Sequence, residues 1–277
     1  MRVQSCRSLS RFLIKTESFL LENEVVNNLI CEVLLEVEKK SKSIQWAGNI
    51  LENGKILLCA VLTSSNYLLI SSASISSTHH LIRFIKRKKW KIKGVSGPSN
   101  VSLYFSNKWI GYQKVQVKSR RNFSIYETKH KLKYIDNDKL FSIKKVGDNE
   151  WPRARLWAMK FALESTPKLN RTAIVNMAKS MMKEGNLFFL QKSGLGSCGM
   201  VGFGRNTQNY KVINLVYIPI DDRGKMYAQN MMVRIVELAH SKYHKKCLLF
   251  SDYTGEENLY ESVGFHFKIE YCERIFF

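Results

Sequence analysis

The chain has 277 residues, 45% apolar and 12% aromatic, enough to fill one large core or two ordinary ones and too apolar for an extended disordered polymer. Forty-four Lys and Arg against 23 Asp and Glu leave a net charge of +21, so the surface favours polyanions such as nucleic acid, anionic lipid or a nucleotide-bearing ligand. No run of 18 apolar residues is present to span a bilayer, and six scattered cysteines without a C-x-x-C pair read as reduced thiols.

The first 16 residues hold four basic side chains (Arg2, Arg7, Arg11, Lys15) and no acidic one, a bias shared with transit peptides. Phe12-Leu13 and Phe19-Leu20-Leu21 nevertheless run straight into a helical repeat, so the segment reads as folded domain and the cytoplasm is the expected location. Apolar positions at spacings of three and four predict two helices over 7–39, separated near Asn23. Strands follow over 44–50 and 55–62, joined by the turn signal Glu52-Asn53-Gly54, and a third over 67–72. A helix over 78–87, a strand end and turn at Gly94-Val95-Ser96-Gly97-Pro98, a helical stretch to Trp109 and strands over 114–117 and 126–135 complete an α/β half.

After the polar Asp136-Asn137-Asp138 the order of elements begins again: a strand over 141–146, helices over 151–164 and 172–183, then strands over 187–191, 200–205 and 211–218. This predicts two domains of one design, residues 1–137 and 138–277. His240 and His244 form the one helical i,i+4 histidine pair, but no glutamate follows the first as a metalloprotease motif requires, and no metal is expected.

The most informative segment is Val212-Ile213-Asn214-Leu215-Val216-Tyr217-Ile218-Pro219, a β-branched run that hands the chain through Asp221-Asp222 to Arg223-Gly224-Lys225-Met226-Tyr227-Ala228. A helix then buries Met231, Met232, Ile235, Val236 and Ala239 at 3.6-residue spacing. A helix start leaves about four backbone N–H groups unpaired and carries about half a positive charge, so it attracts phosphate. Arg223 and Lys225 add full charges there, although an ordinary basic first turn has the same composition.

These residues resemble the GNAT superfamily of N-acetyltransferases, whose signature is a strand followed by Arg/Gln-x-x-Gly-x-Gly/Ala at a helix start. A second block, Leu248 to Asp252 and then Asn258-Leu259-Tyr260-Glu261-Ser262-Val263-Gly264-Phe265, is similar to the family's fifth strand, tyrosine-bearing helix and Gly-Phe turn. The first half resembles the degenerate amino-terminal repeat of tandem members and contains no Arg-x-x-Gly-x-Ala sequence. The resemblance implies an α/β (α+β) fold of two tandem GNAT-like domains, each a mixed, mostly antiparallel twisted sheet flanked by helices.

For function it implies an acetyl-CoA-dependent N-acetyltransferase that moves the acyl group directly to an amine. Leu215, Val216, Tyr217 and Ile218 would pair with the pantetheine arm and polarise the thioester. Arg223, Gly224, Lys225, Met226, Tyr227 and Ala228 would hold the pyrophosphate, with Asn258 beside the cofactor and Tyr260 as general acid. Two departures stand out. Met226 occupies the position of a glycine, where a side chain pointing inward opposes close approach at a cost of about 1–3 kcal/mol. Asn258 lies two residues before the tyrosine rather than three.

The residues leave alternatives open. Tyr260 also fits as a core aromatic facing Phe265, and the base is unassigned among Asn214, Tyr217, Asp221, Asp222 and ordered water. Protein N-terminus, lysine, polyamine, amino acid and antibiotic amine all remain as acceptors. The competing reading is a catalytically inactive GNAT-like module whose basic runs, Lys86 to Lys93 and Lys114 to Lys133 with Trp90 and Tyr112 for stacking, grip nucleic acid or an acidic partner.

Overall fold

The computed structural model describes residues 1–39, 43–128, 140–166, 168–252 and 258–277. The chain divides into two compact units, Met1–Ile125 with Ser251–Tyr253 and Lys268–Phe277, and Tyr126–Phe250 with Thr254–Phe267. The expected domain boundary near residue 137 lies outside the described residues.

The first unit opens with strand β1 (Arg2–Ser5) and helices α1 (Leu9–Glu22) and α2 (Glu24–Glu38), and continues through β2 (Ile44–Glu52), β3 (Lys55–Thr63) and β4 (Tyr67–Ile70). Then come α3 (Ile75–Arg87), β5 (Gly94–Pro98), α4 (Ser99–Gln113) and β6 (Val117–Thr128). The β2–β3 hairpin turns at Asn53 and Gly54, both in the left-handed region with φ of 48° and 82°, as an Asn-Gly turn requires. β1 to β4 pair antiparallel in order, and β4 pairs parallel with β5. Side-chain alternation feeds two cores. Leu58, Ala60 and Leu62 of β3 face α3 and α4 with Phe105 and Trp109, while Cys59 and Val61 face α1 and α2 with Phe12, Leu20 and Leu34.

The second unit repeats the succession with β7 (Phe141–Lys145), α5 (Trp151–Glu164), α6 (Arg171–Lys183), β8 (Leu187–Lys192), β9 (Gly196–Asn206) and β10 (Tyr210–Tyr217). α7 (Tyr227–Tyr243), β11 (Lys246–Ser251) and α8 (Leu259–Ser262) follow, and β12 (Phe265–Phe276) begins in this unit and continues in the first. β7 to β10 are antiparallel neighbours in order, and β10 pairs parallel with β11. Phe188 and Leu190 face α7, and Leu187 and Phe189 face α5 and α6, so this strand is buried on both sides. In both units, then, a mixed and mostly antiparallel sheet lies between helices, as expected of two tandem domains of one design.

Three elements differ from the sequence reading. Residues 114–117 do not begin a separate strand. Lys114 ends α4 in the left-handed region at φ 54°, and one strand, β6, runs from Val117 through the charged Lys118 and Arg120. Those charges occupy its exposed alternate positions, which a half-buried strand tolerates; the expected continuation over 129–135 lies outside the described residues. β1 was not anticipated. Nor was β12, whose residues Tyr271–Ile275 pair antiparallel with β5 and so belong to the first unit.

Candidate functional site

The site is built on the end of β10. Its parallel register with β11 runs from Tyr210↔Lys246 to Val212↔Leu248, and β10 continues to Tyr217 past the last of these pairs. Against β9, the register of β10 slips between Asn214↔Gly202 and Tyr217↔Met200. Leu215 sits within the slip at φ 53°, and its N–H donates to Asn214 Oδ1 at 2.8 Å. A bulge of this kind bends a strand and re-aims the residues beyond it. Val216, Tyr217 and Ile218 line a cavity of about 490 Å³ within the second unit. Ile218 finds room because β9 carries glycine opposite it: a Cβ on Gly199 would lie 2.6 Å from Ile218 Cδ1.

Beyond β10 the chain turns through a short 3₁₀ segment, Ile220–Asp222, and enters α7 through two left-handed residues, Gly224 at φ 75° and Met226 at φ 59°. Met226 is the N-cap and supplies no side-chain hydrogen bond to the helix. The first bond of the ladder runs from Asn230 N–H to Met226 O at 3.1 Å, so the N–H groups of Tyr227, Ala228 and Gln229 stand ahead of it. Gly224, Met226, Tyr227, Ala228 and Gln229 all line the cavity. The Met226 side chain is 51% exposed, so the position keeps the backbone conformation natural to glycine while most of its side chain reaches solvent.

Arg223 folds back over the strand end. Its Nε donates to Ile218 O at 3.1 Å and its Nη2 to Glu164 Oε2, at the C-terminal end of α5. Glu164 Oε1 accepts from the Tyr217 hydroxyl at 3.0 Å, so one carboxylate ties strand end, turn and helix together. Burial, reinforced by this hydrogen bond, pushes the Tyr217 phenol up to about 12, which keeps it a neutral donor. Lys225 is turned away from the strand end, with Nζ 3.0 Å from Asp222 Oδ1 and 2.8 Å from Asp221 O.

At the far wall Tyr260 lies in α8, its N–H donating to Asn258 Oδ1 at 2.9 Å and its ring 6.2 Å from those of Tyr126 and Phe265. It packs against the core and lines the cavity at once, so the two readings of this tyrosine are compatible. Of the residues singled out in the sequence, Val216, Tyr217, Ile218, Arg223, Gly224, Met226, Tyr227, Ala228 and Tyr260 surround one cavity. Leu215 is buried in the core under α5 and α6, Lys225 pairs with its neighbouring aspartates, and Asn258 caps α8. Sequence reasoning missed Phe161, Glu164 and Ser165 of the α5 end. No local motif marks them, because packing across the fold brings them to the site.

In the competing reading, Trp90 is not a free stacking platform: its ring packs 5.5 Å from Trp46 and 5.7 Å from Phe84. Tyr112 is exposed and lies under Lys86 Nζ, 3.8 Å from the ring centroid.

No family model and no curated protein matches the sequence. Solved structures do match the fold. An acetyltransferase of the GNAT family from Colwellia psychrerythraea superposes with a TM-score of 0.60 at 11% identity, covering 100% of both chains. A GCN5-related N-acetyltransferase from Sphaerobacter thermophilus gives 0.56 at 14% identity over 87% of this chain and 84% of its own. A tandem GNAT protein from the clavulanic acid biosynthesis pathway gives 0.55 at 7% identity over 99% and 98%. The chain therefore has the GNAT acetyltransferase fold, in its tandem form.

Proposed function

We propose that the second unit is an acyl-coenzyme A-dependent N-acyltransferase, with acetyl-CoA as donor and an amine as acceptor. The observation that carries the reading is the single cavity at the bulged end of β10, with the uncapped start of α7 on one side and Tyr260 on the other. Left-handed backbone at Gly224 and Met226 and the leading N–H groups of α7 form an anion cradle of the kind a pyrophosphate fits. Arg223 adds positive charge to that end and Val216 to Ile218 offer strand backbone to an extended pantetheine arm. Acyl-CoA, when bound there, supplies the activated thioester.

The chain's own residues have three tasks. At the β10 bend, where the Leu215 N–H is taken by Asn214 Oδ1, the next main-chain N–H, that of Val216, would favour charge that develops on the carbonyl oxygen. The amine attacks in its neutral form; as the carbon–nitrogen bond forms and the carbon–sulfur bond breaks, Tyr260 gives its hydroxyl proton to the departing sulfur, and the proton that the nitrogen sheds returns through solvent to the tyrosine oxygen. Glu164 holds Tyr217 and Arg223 in place at the cavity wall. The test is release of free thiol from acetyl-CoA across a panel of amines. Tyr260→Phe should lower turnover about 100-fold while leaving coenzyme A affinity within about twofold. Equal turnover in that variant removes Tyr260 from the chemistry, and no thiol release with any amine removes the reading.

A further inference from the structure

The four basic residues at the start of the chain line a second cavity, of about 620 Å³, between β1 and the start of α1 in the first unit. Arg2 comes from β1, Arg7 from the connection, and Arg11 and Lys15 from α1, and no acidic side chain contributes to the lining. Arg7, Arg11 and Lys15 are spaced four apart, which stacks them along one side of the helix entrance. None of the four has an ion pair among the described residues. All four are exposed, so they are free to turn inward.

The helix itself adds to this field. Ser8 is the N-cap of α1 but makes no side-chain bond to it, the first turn holds no acidic residue, and the ladder begins with Phe12 N–H to Ser8 O at 3.0 Å. The N–H groups of Leu9, Ser10 and Arg11 therefore stand ahead of the ladder. Cations at the positive end of a helix are unfavourable, so the arrangement opposes stability unless something negative enters it.

The matching place in the second unit is built the opposite way. There Glu150 accepts from Gly147 N–H at 3.1 Å and from Lys144 Nζ at 3.1 Å, so the entrance to α5 carries its own anion.

We infer that the β1–α1 cavity is a binding site for a small phosphorylated ligand with at least two negative charges. The enclosing strand, connection and helix favour a compact anion over a long polymer, which needs an open track.

The test is a titration of the full chain with inorganic pyrophosphate at physiological ionic strength, read from the backbone amide shifts of Ser5 to Phe12. Reading the shifts there separates this site from α7. Saturable shifts at these amides are expected, with affinity at least about tenfold weaker in Arg7→Gln/Arg11→Gln. Lys118→Gln/Arg120→Gln, which removes two charges from exposed β6 positions, should change the affinity less than about twofold. The inference fails if the amides do not respond, if the first variant binds equally well, or if both variants weaken equally. It also fails if a short single-stranded oligonucleotide shifts these amides while pyrophosphate does not.

Discussion

The two units write the same succession of elements twice, and they differ most where a parallel strand pair hands the chain to a helix. In the second unit β10 is bulged at Leu215, α7 begins at a left-handed methionine without a side-chain cap, and a cavity opens over its first turn. In the first unit β4 is four residues long and pairs with β5 from Tyr67↔Gly94 to Leu69↔Ser96. Its helix α3 is capped by Ser74, whose Oγ accepts from Ser77 N–H at 3.1 Å, while Ser74 O takes the Thr78 N–H at 3.1 Å. Where the second unit leaves space, the first brings backbone together: a Cβ on Gly97 would lie 2.5 Å from Ile70 O and 2.9 Å from Ser102 Oγ. One fold thus yields an open cavity in one copy and a closed structural joint in the other. The difference rests on a bulge, a cap and a glycine.

Substitutions at these points test the contrast. The largest effect is expected at Gly97, where even alanine places a carbon against backbone. Gly97→Ala should destabilise the chain by about 1–3 kcal/mol in urea unfolding, as overpacking does. Full tolerance would mean that the β4–β5 joint is not closed. Removing the cap with Ser74→Ala should cost about 1 kcal/mol and leave coenzyme A binding unchanged, since Ser74 does not line the cavity at α7. The smallest effect is at Met226. Glycine relieves a left-handed residue, worth about 1–2 kcal/mol, but costs about 0.5–1 kcal/mol in chain entropy. Met226→Gly should therefore raise the thermal midpoint slightly and tighten coenzyme A binding a few-fold, both readable in one thermal-shift titration.

Much of this contrast is legible in the sequence, because its signals are local. Asn53-Gly54 announces the β2–β3 hairpin, the β-branched run Val212 to Ile218 announces β10, and Arg223 to Ala228 announce the start of α7. What is not legible depends on partners distant in the chain. β12 carries Lys268, Glu270, Glu273 and Arg274 in a strand that pairs with β5, far earlier in the chain, and its ends feed different cores through Phe265 and Phe276. Glu164 reads as one more charge at a helix end until folding sets it against Tyr217 and Arg223, 53 and 59 residues away. The charges of β6 obscured a strand whose alternation was nonetheless present. The bias of the first 16 residues resembled a targeting segment, yet three-dimensional placement gathers those four cations around one cavity.

In the proposed function one of the two copies, the second, holds an acyl-coenzyme A. Isothermal titration of the full chain with coenzyme A at physiological ionic strength tests it most directly. One molecule bound per chain is the expected result, with affinity strengthened by Met226→Gly and unaffected by Ser74→Ala. Two equivalent molecules per chain, or none, would contradict the account.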